Sequence, residues 1–199
     1  MNKRTIRIFL DMLLATILSV ASHLLLAMAF ESFDGLHISL VLVPLVWLAL
    51  RHGASTAIIA STIVGLINGL FEFHYTEWVN IILYEILPLY ASGLAGMFSK
   101  YTQKTLNNRR YASTYLNIIT ASILVTVVYF AIKFFLVPLG MGEAITVAFK
   151  QPNVWISLAS MILAAGLLLC GIAKALPKWI IPPRSKYLSR KETSSLLND

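Results

Sequence analysis

The sequence predicts an all-α integral membrane protein with six transmembrane helices and both termini in the cytoplasm. First, 58% of the 199 residues are hydrophobic and 13% are charged, which is more apolar surface than a soluble domain of this size can bury. Second, the basic residues cluster on one side of six apolar segments. A span needs about 20 apolar residues, so six spans use nearly the whole chain. We expect a six-helix transmembrane domain over residues 1–181 and a polar, mobile cytoplasmic tail over 182–199.

Helix is the expected conformation of every apolar segment, because lipid offers backbone groups no outside hydrogen-bond partner. The second segment is short for a full crossing and carries Pro44, which can kink a helix. The polar, basic stretch 99–114 divides the chain into four spans and then two. The predicted spans are residues 6–30, 36–50, 54–71, 78–98, 114–139 and 153–176.

The charge distribution predicts the orientation. Of the sixteen Lys and Arg residues, all but Lys133 and Lys150 fall on one side of the spans. Basic loops stay cytoplasmic during insertion, so that side is predicted to be cytoplasmic. The formal charge of +7 then faces anionic lipid headgroups rather than nucleic acid. The residues on the basic side are Lys3, Arg4, Arg7, Arg51, Lys100, Lys104, Arg109, Arg110, Lys174, Lys178, Arg184, Lys186, Arg190 and Lys191.

Two of the charged residues inside the predicted spans are singled out by the cost of placing them in lipid. Glu85 lies in the fourth segment and Lys133 in the fifth. A charge exposed to acyl chains is costly, so Glu85 should face a cavity or a partner inside the protein. Three interpretations are open: an ion pair that joins the two helices, contact of one or both residues with a polar solute, or snorkelling of Lys133 toward the outer surface.

Groups suited to holding a flat heterocycle surround these charges in the sequence. Aromatic rings stack on other rings and attract cations, and an Asn amide offers a ring edge both a donor and an acceptor. Each aromatic taken alone is more often a lipid-facing or core residue than a ligand contact. The candidates for a substrate-binding site, with Glu85 and Lys133, are Trp78, Tyr84, Tyr90, Asn153 and Trp155. Asn68 in the third span is expected to form an interhelical hydrogen bond rather than a ligand contact.

The sequence offers no arrangement for covalent catalysis. It has no Gly-rich phosphate loop, and its spacing suggests no Ser–His or Cys–His pair. The four histidines share no helix-face spacing with a carboxylate, and Cys170 is the single cysteine. We therefore expect a protein that is not an enzyme, binds no metal or cofactor and does not hydrolyse ATP. Active transport would take its energy from an ion gradient or from another subunit.

Small residues lie four apart in the first span. Ala15 and Ser19 have the spacing that lets two helices approach closely. This face either packs within the monomer or docks another membrane protein.

Four short runs resemble a known family. They are residues 44–53 (PLVWLALRHG), 65–69 (GLING), Tyr84-Glu85 and 93–98 (GLAGMF). Their order and spacing are similar to the thiamine-specific substrate-binding subunits, or S components, of energy-coupling factor (ECF) transporters. The resemblance covers roughly residues 10–180.

The resemblance implies a six-helix subunit with a vitamin pocket near the outer face. The family's fourth-helix Glu matches Glu85, and its Asn at the start of the sixth helix matches Asn153. The implied partners are a transmembrane coupling protein and two cytoplasmic ATPase subunits that use ATP. The small residues of the first helix meet the coupling protein in this family, which would place Ala15 and Ser19 at that contact.

The chain departs from the family pattern at three points. The family has a Trp near the start of the second helix, and the equivalent position here is near Gly35 or Leu36. The family also has an aromatic residue after the fifth-helix site, and the equivalent position here is near Met141. Lys133 stands where a His is expected. If Lys133 neutralises Glu85, less negative charge remains for cationic thiamine. Another small heterocyclic vitamin or precursor, such as hydroxymethylpyrimidine, is therefore the alternative substrate. An integral membrane enzyme and a ligand-free scaffold are the alternatives from other classes.

Overall fold

The computed structural model describes residues 3–30, 40–71, 77–142, 152–183 and 185–188. Within these ranges the chain is helical apart from short connections, which confirms the all-α prediction. Five helices are long and apolar enough to cross a membrane, and α2 is a shorter apolar helix. Residues 31–39, 72–76 and 143–151, which include Lys150, lie outside the described residues. The helices are α1 (Lys3–Phe30), α2 (Leu42–His52), α3 (Ala54–Phe71), α4 (Trp78–Asn107), α5 (Tyr111–Gly140), α6 (Pro152–Ala175) and α7 (Pro177–Ile180).

Three helices are longer than predicted, and the first of them, α1, begins at Lys3 rather than at residue 6. α4 continues to Asn107 instead of ending at residue 98, because its polar extension buries Gln103 and Leu106 while Lys100 stays exposed. α5 begins at Tyr111 rather than residue 114. A tight reversal joins them, with Arg109 in the left-handed region at φ 56°. The basic stretch predicted as a connection is therefore mostly helical.

Helix α2 forms the centre of the core. Eight of its eleven residues are buried, from Leu42 to Arg51. Pro44, a residue type that can kink a helix, is the third residue of α2 and lies in its first turn. The N–H groups of a first turn have no intrahelical acceptor, so proline removes no bond there.

Helices α3 and α4 approach each other closely along a seam of glycines. A Cβ atom at Gly65 would lie 2.8 Å from the Cα atom of Ile86, and one at Gly93 would lie 2.9 Å from the side chain of Ile58. Larger residues at these points would push the helices apart. Ser61 and Ser92 add a buried hydrogen bond of 2.8 Å across the same seam.

A polar network joins the helices at one end of the bundle, which we call the basic end: the end at which α1, α3 and α5 begin and α2, α4 and α6 terminate. The Arg51 Nε group donates to Asp11 Oδ2 at 2.8 Å, and His52 Nε2 lies 2.7 Å from the same oxygen. Arg51 Nη1 donates to the carbonyls of Lys178 and Trp179 at 2.7 and 2.6 Å. Arg51 thus links α1, α2 and α7.

The chain after α7 also contacts this end. Ser185 donates to the side-chain oxygen of Gln103, and Ser99 donates to the Tyr187 hydroxyl at 3.1 Å. Gln103 in turn donates to the last carbonyls of α2, those of Leu50 and Arg51. The division into residues 1–181 and a tail stays a prediction, since residues 189–199 lie outside the described chain.

Replacing Asp11 with Ala should lower stability strongly, because it leaves the Arg51 guanidinium buried beside an empty position. Breaking a buried ion pair from one side costs about 3 kcal/mol or more. The midpoint temperature of thermal unfolding in detergent should therefore fall by several degrees. The double variant Asp11→Leu/Arg51→Met removes both charges and should recover much of the loss. Equal stability of Asp11→Ala and the wild type would show that the network contributes little.

Candidate functional site

Glu85 and Lys133, the two charged residues singled out within the predicted spans, form an ion pair. Lys133 Nζ donates to Glu85 Oε1 at 3.0 Å, and the two side chains are 24% and 5% exposed. Glu85 therefore faces the protein interior, as predicted. Of the three interpretations, the structure shows the first, an ion pair that joins α4 and α5. Pairing removes most of the cost of placing either charge at this depth.

The pair lies near the end of the bundle opposite the basic end. Glu85 is seven residues after the start of α4, and Lys133 is seven residues before the end of α5. At the usual helical rise, both lie about 10 Å from those ends. The first turn of α6, which carries Asn153 and Trp155, begins at this same end.

Both members of the pair lie in π-helical turns. Glu85 belongs to the π segment Ile81–Ile86 and Lys133 to the π segment Ile132–Leu136. A proline follows each segment by two residues, at Pro88 and Pro138. Proline has no N–H, and its ring excludes the carbonyl four residues earlier, so the preceding turn widens. Such turns inside α-helices are frequent at functional sites.

Tyr129 extends the site in a way that the sequence analysis missed. The Lys133 ammonium lies 6.0 Å from the centroid of its ring, within the range of a cation–π interaction. The sequence spacing could have predicted this contact, because Tyr129 precedes Lys133 by four residues and helix neighbours at that spacing share a face. Tyr129 also contacts Phe130, and Phe130 stacks on Phe134 at 5.0 Å.

The other predicted site residues differ from one another in burial and in their location along the helices. Tyr84 and Asn153 are partly buried, and Trp155 is exposed. Trp78, the first residue of α4, is 66% exposed. Tyr90 lies on the surface of α4, where its hydroxyl is 3.1 Å from Thr62 Oγ1. The structure brings Glu85 and Lys133 into direct contact, while Tyr90 and Thr62 pair further toward the basic end.

The predicted docking residues of α1 are covered within the chain. Ala15 and Ser19 are both 0% exposed. Ser19 Oγ donates to the Val41 carbonyl at 3.0 Å, just before α2. The structure thus uses the small residues to bring α1 against α2. Their role in docking a partner stays a prediction.

Asn68 does not form its predicted interhelical hydrogen bond through Oδ1. The residue is buried in α3, and its Oδ1 atom has no hydrogen-bond partner among the described residues.

Comparisons with known proteins agree with this architecture. A family model described as Thiamine transporter protein (Thia_YuaJ) matches residues 7–138, a range that includes Glu85 and Lys133. Among solved structures, the fold is similar to that of ThiT from Listeria monocytogenes, with a TM-score of 0.73 and 21% sequence identity. That match covers 91% of this chain and 100% of the other. A comparison with curated proteins finds no match.

Proposed function

The chain belongs to the thiamine transporter protein family, and we propose that it is the substrate-capture subunit of an ECF-type transporter that binds thiamine at the end carrying the Glu85–Lys133 pair. Family membership indicates a membrane transport protein and not an enzyme. The observation that carries the proposal is the charged pair held inside the bundle by two π-helical turns. Buried ionisable residues of this kind mark solute pathways in membrane proteins.

We assign each site residue a role in binding. Glu85 supplies the negative charge that meets the positive thiazolium ring of thiamine. Asn153 reads a polar ring edge through its amide. The aromatic residues Tyr84, Trp155, Trp78 and Tyr90 supply stacking surfaces, with Trp78 and Trp155 at the mouth of the site.

Thiamine binding would exchange one cation for another at Glu85. In the structure, the Lys133 ammonium donates to the Glu85 carboxylate at 3.0 Å. Lys133 has an alternative stabilising contact, because the Tyr129 ring lies 6.0 Å from its ammonium. Its side chain is also long enough to move its charge toward the surface. A neutral ring such as hydroxymethylpyrimidine could instead bind beside an intact pair, and this is the alternative substrate.

The proposal includes six spans with both termini in the cytoplasm. Helix α2 would complete the set of spans as a short, tilted crossing. The basic end would face the cytoplasm, since basic residues resist translocation. The outward-facing site would then capture the solute outside the cell.

We propose a coupling protein in the membrane and two cytoplasmic ATPase subunits as partners. Ala15 and Ser19 would meet the coupling protein. Both are covered by the chain itself in this conformation, so the contact requires α1 and the start of α2 to separate at this level.

Uptake assays test this function. In proteoliposomes, the chain together with the coupling protein and ATPases should accumulate labelled thiamine when ATP is present, whereas the chain alone should bind thiamine without accumulating it. A Ser19→Cys/Val41→Cys variant in a Cys170→Ala background, joined by a short bifunctional thiol reagent, should keep binding and lose uptake. The same variant without the reagent is the control. Full uptake by the crosslinked protein would remove this face from the docking contact.

A further inference from the structure

Asn68 lies at the same level of the bundle as Glu85. It sits on α3 between Gly65 and Gly69, and these two glycines contact Ile86 and Ile81 of α4. The two isoleucines are the last and first residues of the π segment that contains Glu85. Asn68 is therefore buried in α3 at the level of that segment.

The Asn68 side chain is buried, and its acceptor atom Oδ1 receives no hydrogen bond from the described residues. The residue is 1% exposed. Buried polar atoms in folded proteins nearly always have a partner, and an exception calls for an explanation. An apolar side chain of similar shape would avoid the desolvation cost. The amide thus stabilises this chain little unless a donor arrives from elsewhere.

We propose that Asn68 Oδ1 accepts a hydrogen bond from an N–H or O–H group of the bound solute, which makes Asn68 a specificity-determining residue. The inference rests on the proposed function, since it places the solute beside Glu85. A carbonyl oxygen accepts hydrogen bonds but cannot donate them. Thiamine carries two suitable donors, the amino group of its pyrimidine ring and its terminal hydroxyl. A site built around such a bond discriminates strongly against analogues that lack the donor.

The variant Asn68→Leu separates this role from a structural one. It should leave the ligand-free protein as stable as the wild type or more so, because it removes an unpartnered buried amide. It should weaken thiamine binding at least tenfold. Binding is then measured for thiamine and for two analogues, one with hydrogen in place of the amino group and one with hydrogen in place of the hydroxyl. The analogue that lacks the bonded donor should bind the variant and the wild type alike, and this identifies the donor.

Thr102→Val is the matched control. Thr102 Oγ1 is also buried without a partner, but it lies on α4 toward the basic end. This variant should change neither thiamine affinity nor selectivity. Equal losses of all three ligands on Asn68→Leu, no loss at all, or a fall in ligand-free stability would overturn the assignment of Asn68 while leaving the proposed function intact. Failure of the wild-type chain to bind thiamine would overturn both.

Discussion

Replacing Glu85 with Gln should weaken thiamine binding about a hundredfold, or about 2.7 kcal/mol. The substitution keeps the shape of the side chain and its ability to hydrogen-bond, but it removes the negative charge. That charge lies in a site shielded from water, with the side chain 5% exposed, where electrostatic attraction is stronger than at a surface. The positive ring of thiamine would lose its counter-ion.

Calorimetric titration of the purified variant measures this effect, with thermal unfolding as the test of folding. Loss of the carboxylate also leaves Lys133 without its ion-pair partner, so stability should fall as well. Glu77→Gln is the matched control, because Glu77 is exposed immediately before α4. It removes one acidic charge at the same end of the bundle and should leave affinity within about twofold, as expected for a screened surface charge. Unchanged affinity in a folded Glu85→Gln variant would make Glu85 a structural residue.

Replacing Lys133 with Met should have the opposite effect on thiamine affinity. If thiamine must displace the Lys133 ammonium from Glu85, then removing that ammonium frees the carboxylate, and affinity should rise about tenfold, or about 1.4 kcal/mol. Stability of the protein without thiamine should fall, because the buried Glu85 carboxylate loses the ammonium that pairs with it. A fall in affinity in the folded variant would instead assign Lys133 to a direct contact with the solute.

Competition among three ligands separates the two substrate hypotheses. Thiamine carries a positive ring, its hydroxymethylpyrimidine fragment is neutral, and an anionic vitamin provides the third charge state. Nanomolar binding of thiamine alone would mean that the pair opens in the loaded state. Preference for the neutral fragment would overturn the assignment of thiamine but keep the capture-subunit function.

The interior position of Glu85 could be predicted from sequence, because the cost of a charge in lipid depends little on the details of the fold. The ion pair with Lys133 could be predicted only as one of three outcomes. Its formation depends on how α4 and α5 are rotated against each other, and that rotation is changed by the π turns before Pro88 and Pro138. A proline in a span predicts a local change in helix geometry, but it does not predict whether that change is a kink or a widened turn.

Other features depend on contacts between residues that are distant in sequence. A partner for Asp11 can be predicted by the same reasoning that identifies Glu85, because a carboxylate in an apolar first span needs one. Its partner Arg51 follows the short second span in the sequence, which predicts a loop charge, but the structure buries it in α2. The sequence alone does not distinguish packing of Ala15 and Ser19 within the chain from docking of a partner helix. Small residues allow close approach of two helices in either arrangement.

Thiamine binding by the wild-type chain can be measured by native mass spectrometry after incubation with thiamine and release from detergent. We expect one thiamine bound per chain, and the ligand should be retained by Glu77→Gln and lost from Glu85→Gln at the same concentration. A wild-type spectrum that shows only the ligand-free mass, under conditions in which the protein remains folded, would contradict this expectation.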